Sequence, residues 1–178
     1  CTVCFHNATV VHEDGSRDPW LWTPPNQSEI STLEDIWLGN FIATGSTVFR
    51  KGAFGDVPDW YISLFPITDW PLHILNAEHG HIGYINEVMG IYRHHGGGLY
   101  SAFSQSRKLG ETLKFYRTMD RNLNFKYTRL INTAISKYFF EWAEEYLARG
   151  NPEQARACFK TGLFGRPVNP FFSLRALM

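Results

Sequence analysis

The sequence has little that would direct it to nucleic acid or into a membrane. Its 17 Lys and Arg residues balance 17 Asp and Glu residues, so no basic surplus favours nucleic acid or an anionic lipid surface. No apolar run approaches the roughly 18 residues of a membrane-spanning helix. The first residues lack the charged and apolar regions of a signal peptide. We therefore expect a cytoplasmic protein with no nucleic-acid partner, and leave open a peripheral association with the inner face of the membrane.

Cysteine is also scarce, with only Cys1, Cys4 and Cys158. A small, odd number of cysteines argues against a disulfide scaffold and is typical of a reducing compartment. Cys1 and Cys4 form a C-x-x-C pair without the second pair that a zinc site needs, and we expect both in a strand. Because the chain begins on Cys1, within this predicted strand, and not on Met, we expect it to be a piece of a longer protein.

The first hundred residues alternate between strand and helix patterns, and 44% hydrophobic residues supply a core. Ser31 and Glu34 have the spacing of a capping box, with Gly39 as a stop signal. A second helix is predicted to begin at Asp69 and to end at Gly80. The predicted strands are Val3–Val11 before a turn at residues 13–15, "GSTVFRKGAF", and "GYINEVMGIYRHH".

From Ser104 onward the pattern is helical. Apolar residues recur every four positions over residues 127–149, which predicts an amphipathic helix ended by Gly150. Asn151 and Pro152 begin the next helix. Tyr146, Gly150, Ala155 and Phe159 lie where a tetratricopeptide unit has its packing residues. One unit cannot form a solenoid, so a helical hairpin is favoured over a peptide-binding groove. We therefore predict an α/β part over residues 1–101 and an all-helical extension over residues 102–178.

Two groups of residues could carry chemistry. Asp69 lies at a junction between loop and helix, where its carboxylate could cap the helix, act as a general base, or do both. Arg93 and His95 are two residues apart at a strand end, so they could face one pocket while His94 points away. An imidazole there could bind a divalent metal and a guanidinium could pair with phosphate, although a solvated strand end is the simpler alternative.

The glycine run and the preceding strand are weaker signals. Gly96, Gly97 and Gly98 lack the Lys and Ser/Thr of a P-loop, so they favour a mobile loop. Ser46 or Arg50 could line a site, but a plain buried strand is the simpler interpretation.

The order of these segments is more informative than any one of them. A strand "GSTVFRK", a helix "TDWPLHILNAEHG" and a strand with its loop "IGYINEVMGIYRHHGGG" follow one another. This succession resembles the carboxy-terminal half of the catalytic domain of inverting family 2 glycosyltransferases, which have the GT-A fold. The matching residues are Ser46 to Arg50, Asp69 and Trp70, Gly80, Tyr92 to His95, Gly96 to Gly98, and Ser101.

The resemblance implies a role for several of the matching residues. Asp69 would be the general base that takes the proton of the acceptor hydroxyl, and Trp70 would shape the acceptor side. His95 would complete the coordination of Mn²⁺ or Mg²⁺ on the donor diphosphate. Gly96 and Gly97 would belong to a loop that closes over the nucleotide sugar. The implied partners are a nucleotide-sugar donor and a saccharide or lipid-linked acceptor, as in cell-envelope polysaccharide synthesis.

The D-x-D motif of that family, which holds the metal in the nucleotide-binding half, does not occur in this sequence. The resemblance therefore implies a partial GT-A domain with a mixed sheet and flanking helices, lacking the donor subsite, and we expect no transfer by this chain alone. Two other classes are considered. One is a non-catalytic interaction module built on the helical extension. The other is a metal hydrolase using His94, His95 and Asp69, but these residues form neither an H-x-H nor an H-E-x-x-H arrangement.

Overall fold

A computed structural model describes residues 1–100 and 102–164 of the chain. It divides into two compact units, Cys1–Phe103 and Ser104–Met178. The first unit contains a mixed sheet with helices and the second contains helices, so the predicted mixed α/β class is confirmed. None of the helices within the described ranges is long and apolar enough to cross a membrane.

The sheet of the first unit is built around one parallel pair of strands. β1 (Val3–His12) runs parallel to β5 (Ile82–His94), with Val3 opposite Ile82 and His12 opposite His94. The strands β2, β1, β5 and β3 follow one another across the sheet, and β4 also pairs with β1. The short strands are β2 (Trp20–Leu21), β3 (Ile30–Ser31) and β4 (Thr47–Phe49), all antiparallel to their neighbours.

An irregularity interrupts the parallel pair near its middle. The register between β1 and β5 shifts on both sides of Asn7, and the Asn7 side chain is buried at this point. Its Oδ1 accepts hydrogen bonds from the backbone amides of Ala8 and Thr23, and its Nδ2 donates to the Tyr84 hydroxyl at 3.0 Å. The amide side chain therefore satisfies buried polar groups where the regular ladder does not.

Two helices flank this sheet, and both differ slightly from the predicted bounds. The first, α1 (Leu33–Leu38), has its capping box one residue later than predicted, between Thr32 and Asp35. Ser31 was the wrong choice because it pairs as the last residue of β3. The second, α2 (Asp69–Ala77), begins as predicted but ends before Gly80. Its last turn lies beside the start of β1, where the Thr2 hydroxyl donates to the Asn76 carbonyl at 2.7 Å.

The second unit contains α3 (Gln105–Asn122), α4 (Thr128–Ala148) and α5 (Pro152–Phe164). The predicted apolar stripe of α4 is buried at Ile131, Ala134, Ile135, Phe139, Trp142, Ala143 and Tyr146. Gly150 ends the α4 region with a φ of 74°, a left-handed conformation that suits glycine. The α4–α5 hairpin confirms the predicted helical hairpin. Its likeness to a tetratricopeptide unit stays a prediction, and residues 165–178 of the predicted extension lie outside the described residues.

Candidate functional site

The Asp69 carboxylate lies at the first residue of α2 and accepts three hydrogen bonds. Its Oδ2 accepts from the Thr44 hydroxyl at 2.6 Å and from Asn40 Nδ2 at 3.5 Å. Its Oδ1 accepts from the backbone amide of Trp70 at 2.8 Å. A carboxylate offers about four acceptor positions, so one position on Oδ1 remains. Asp69 is half-buried and Thr44 is exposed, which leaves the group accessible from solvent.

The position of Asp69 in the fold follows from the direction of α2. The helix lies between β1 and β5 in sequence, and its carboxyl end is beside Thr2, at the start of the parallel strands. Asp69 is at the other end of the helix, about 12 Å away by the helical rise. Its donor Thr44 lies three residues before Thr47, which pairs with Phe5 of β1, so Asp69 is held near the first half of the parallel strands.

Tyr61 belongs to the same site. It lies in the 3₁₀ segment Asp59–Leu64, and its hydroxyl donates to the carbonyl of Thr68, the residue that precedes α2. Burial raises the pKa of the Tyr61 phenol, and the negative charge of Asp69 raises it further. The phenol therefore stays protonated and keeps its hydrogen bond to the segment that carries the carboxylate.

His73 lies one turn further along α2 and is 1% exposed. Burial lowers the pKa of its imidazole to about 4, while the charge of Asp69 acts in the opposite direction. The ring is therefore neutral at physiological pH. Neither ring nitrogen has a hydrogen-bond partner within the described part of the chain. A neutral imidazole in this position contributes packing beneath Asp69 without neutralising its charge.

Trp70 and Ser46, which the sequence analysis placed on the substrate side, are both buried. The indole of Trp70 is 5% exposed, and its Nε1 donates to the carbonyl of Ile36 in α1 at 2.6 Å. Ser46 is 4% exposed and ends a 3₁₀ turn, Thr44–Ser46, where its hydroxyl donates to the Ala43 carbonyl at 2.8 Å. The predicted strand therefore begins at Thr47. Both side chains make structural contacts that hold the surroundings of Asp69.

The other predicted residues lie at the carboxyl end of the parallel strands. Arg93 is exposed and its guanidinium lies 3.5 Å from the Glu13 carboxylate. The ring of His94 packs on His12, with centroids 4.4 Å apart. β5 ends at His94, so His95 is the first residue beyond the strand, and the strand alternation that predicted a shared face with Arg93 does not reach it.

The loop after β5 contains the predicted glycines. Gly96 and Gly97 are exposed and form a turn after the half-buried His95. A methyl group at Gly97 would lie 3.5 Å from His95 Nδ1, whereas at Gly96 it would meet no atom within 4 Å. Ser101, the last residue of the resemblance, lies outside the described residues.

The described residues do not bring together a metal site of the expected kind. Among the described residues, no group of three or more His, Cys, Asp and Glu side chains could hold a metal ion. The residues present therefore do not fit Mn²⁺ or Mg²⁺ by themselves, and His95 as a ligand stays a prediction.

Sequence reasoning found Asp69 but missed its partners. Asn40 lies in a loop, and Thr44 and Tyr61 lie in short 3₁₀ segments, where no helical or strand periodicity marks a residue as functional. The capping interpretation of Asp69 is wrong, because the N-cap of α2 is Thr68 and Asp69, the first helical residue, accepts only from the adjacent amide of Trp70 within the helix. Its other bonds come from Asn40 and Thr44, in a separate segment of the chain.

Comparison with known proteins gives relatives without an assigned function. The chain is 29% identical to the uncharacterized protein Mb1547 of Mycobacterium bovis and to the uncharacterized proteins MT1570 and Rv1520 of two Mycobacterium tuberculosis strains. The match covers 98% of this chain and 50% of each relative, so the chain spans about half of their length. No family model and no solved structure matches the chain.

Proposed function

We propose that this chain is the acceptor-side half of an inverting glycosyltransferase, with Asp69 as the general base. The observation that carries the proposal is the accessible carboxylate at a helix end, oriented by the Thr44 hydroxyl at 2.6 Å and the Trp70 amide at 2.8 Å. Both oxygens are held by the protein, yet one acceptor position on Oδ1 is left for a substrate hydroxyl. The resemblance of the sequence around Asp69 to family 2 glycosyltransferases supplies the reaction class.

In the proposed reaction, the acceptor hydroxyl oxygen forms a bond to the anomeric carbon of the donor sugar. The bond from that carbon to the diphosphate oxygen breaks, and the nucleoside diphosphate leaves with the electron pair. Asp69 takes the proton of the hydroxyl as the new bond forms. Attack opposite the leaving group inverts the anomeric centre. Holding the base on a helix end orients it before the reaction begins.

The test requires a polypeptide that also provides the nucleotide-binding half. We would extend the chain at its amino end with the sequence encoded upstream of it and measure nucleotide release from UDP-, GDP- and dTDP-sugars. We expect Asp69→Asn to reduce kcat by about 10²- to 10⁴-fold, the usual contribution of a general base. The amide keeps the size of the carboxylate, so the helix should persist.

The control is Asp59→Asn, an exposed carboxylate at the start of the neighbouring 3₁₀ segment, which we expect to leave kcat unchanged. Retained turnover in Asp69→Asn would remove Asp69 from the base role. An upstream sequence without a strand–helix–strand region ending in D-x-D would favour the interaction module instead. Titration of Mn²⁺ against His95→Ala tests the predicted ligand, because an unchanged metal dependence excludes it.

A further inference from the structure

Among the described residues, one edge of β5 has no neighbouring strand over most of its length. β1 pairs along one edge from Ile82 to His94, with Asn86, Glu87 and Met89 outside the register at the irregularity near Asn7. On the other edge, β3 pairs only with Ile82 and Gly83, and the Tyr84 amide donates to the Glu29 carbonyl at 2.8 Å. From Ile85 to His94, no strand within the described residues pairs with this second edge. We refer to residues 85–94 as the open edge.

The open edge is apolar and exposed. Its large hydrophobic residues have exposed fractions of 36–76%: Ile85, Val88, Met89, Ile91 and Tyr92. Natural proteins usually protect an edge strand by making it short, placing Lys or Pro on it, or covering it. This edge contains neither Lys nor Pro, and its fully charged residues are Glu87 and Arg93. An edge of this kind favours pairing with another strand.

The irregularity near Asn7 does not protect the whole edge. A β-bulge can blunt an edge by twisting it away from an approaching strand. Here the register shifts occur on both sides of Asn7, which lies opposite Val88, and from Gly90 to His94 the pairing with β1 is regular. The most exposed of these hydrophobic residues, Ile91, lies within this regular stretch.

We propose that the open edge of β5 binds a strand from the polypeptide that forms the other half of the relatives' length. The mycobacterial relatives align with 98% of this chain but are about twice as long, so in them a partner of comparable size accompanies this sheet. A strand added at residues 85–94 would satisfy the free backbone groups and cover the apolar side chains. This binding proposal does not depend on glycosyl transfer or on any activity of the partner.

The probe is the larger contiguous piece of Rv1520 outside the stretch that matches this chain, produced as a separate polypeptide. It is mixed with the full 178-residue chain, and the complex is followed by light scattering and by hydrogen exchange of the amides. We expect a one-to-one complex in which exchange at residues 85–94 slows about tenfold or more. The matched stretch of Rv1520, tested with the same probe, serves as the positive control.

Two substitutions locate the contact. Ile91→Lys places a charge on the open edge and should weaken the complex about tenfold or more. Val48→Lys places the same charge on β4, at a residue 72% exposed in the same sheet, and should leave the affinity unchanged. Both sites are exposed, so both variants should fold, and circular dichroism verifies this.

Several outcomes would overturn the inference. These are the absence of a complex, a complex that leaves exchange at residues 85–94 unchanged, or equal weakening by both substitutions. Self-association of the chain that protects the open edge without the probe would assign it to a second copy instead. The binding assay contains no sugar donor, so a complex without transferase activity would leave this inference standing and contradict only the proposed function.

Discussion

The ring of Phe49 on β4 stacks on the imidazole of His73 on α2, with centroids 5.6 Å apart and planes inclined by 18°. This contact joins the sheet to the helix whose first residue is Asp69. The imidazole has lost its water and, within the described part of the chain, gains no hydrogen bond in return. His73 therefore stabilises the fold only while it is neutral, so the stability of the first unit should depend on pH.

The stability of the first unit should fall between pH 6.5 and pH 4 because of His73. Burial lowers the pKa of this imidazole from 6.5 to about 4 in the folded state. In that interval the unfolded chain binds more protons, so acid favours unfolding. The whole loss of unfolding free energy is about 3 kcal/mol. It is complete near pH 4, the pKa of His73 in the folded state, and absent above pH 6.5, its pKa in the unfolded state. Urea unfolding at a series of pH values measures it.

His73→Leu isolates this contribution. The substitution keeps an apolar side chain against Phe49 and removes the proton, so the fall in unfolding free energy between pH 6.5 and pH 4 should become smaller by about the same amount. His81→Gln is the matched control. Because His81 is exposed, this variant should show the same fall in unfolding free energy between pH 6.5 and pH 4 as the wild type. An identical pH profile for His73→Leu and the wild type would contradict the prediction.

Under the proposed function, Thr44 should affect turnover by orienting Asp69. In the extended polypeptide of the proposed test, Thr44→Val removes the hydroxyl that donates to Oδ2 at 2.6 Å. We expect kcat to fall about tenfold and stability to fall by about 1 kcal/mol, the usual range for one hydrogen bond. Thr44→Ser keeps the hydroxyl donor, so this variant should retain most of the wild-type kcat.

A double substitution distinguishes an effect of Thr44 on the orientation of Asp69 from an effect on packing in general. Combined with Asp69→Asn, Thr44→Val should lower kcat little further, because the carboxylate it orients is already gone. Additive losses in the double variant would show that Thr44 acts independently of Asp69.

The sequence predicted elements with regular periodicity well. α4 repeats its apolar residues over five turns, so its bounds deviate from the predicted 127–149 by one residue at each end. The long strand β1 was also predicted well, because its apolar residues Val3, Phe5, Ala8 and Val10 are buried in the fold. In both elements, many residues contribute the same signal.

The site around Asp69 could be predicted only in part, since it depends on contacts distant in sequence. Thr44 and Asp69 are joined across 25 residues, and the Trp70 indole reaches the Ile36 carbonyl across 34. Nothing local distinguishes Thr44 from its neighbours. The capping residue of α1 was predicted wrongly for a different reason. Ser31 and Thr32 are both good capping residues, and Ser31 is taken up by the pairing of β3, which leaves Thr32 as the cap.

Trp70→Phe should destabilise the first unit through the Ile36 carbonyl. The indole donates to this buried oxygen at 2.6 Å, and phenylalanine removes the donor while retaining most of the apolar ring. Leaving a buried acceptor unsatisfied costs about 1–3 kcal/mol. Chemical denaturation measures the loss. Trp20→Phe, at a residue 42% exposed, is the control and should change stability by less than about 0.5 kcal/mol. Equal effects of the two substitutions would show that the hydrogen bond contributes nothing.

Two glycines in the helical unit should respond oppositely to alanine. A methyl group at Gly110 in α3 would meet no atom within 4 Å, so Gly110→Ala should stabilise the helix by about 0.5–1 kcal/mol through backbone propensity. At Gly162 in α5 the same methyl group would lie 3.3 Å from side-chain carbons of Phe139 and Phe140 and 3.4 Å from the Ser136 carbonyl oxygen.

Those three contacts lie on α4, and one is backbone, so Gly162→Ala must displace the two helices slightly. We expect the displacement to offset the gain in propensity and leave Gly162→Ala about 1–2 kcal/mol less stable than Gly110→Ala. Thermal unfolding followed by circular dichroism compares the variants, and hydrogen exchange within α5 locates the change. Equal stabilisation by both substitutions would mean that α4 and α5 can separate at no cost, which is incompatible with a tightly packed hairpin at Gly162.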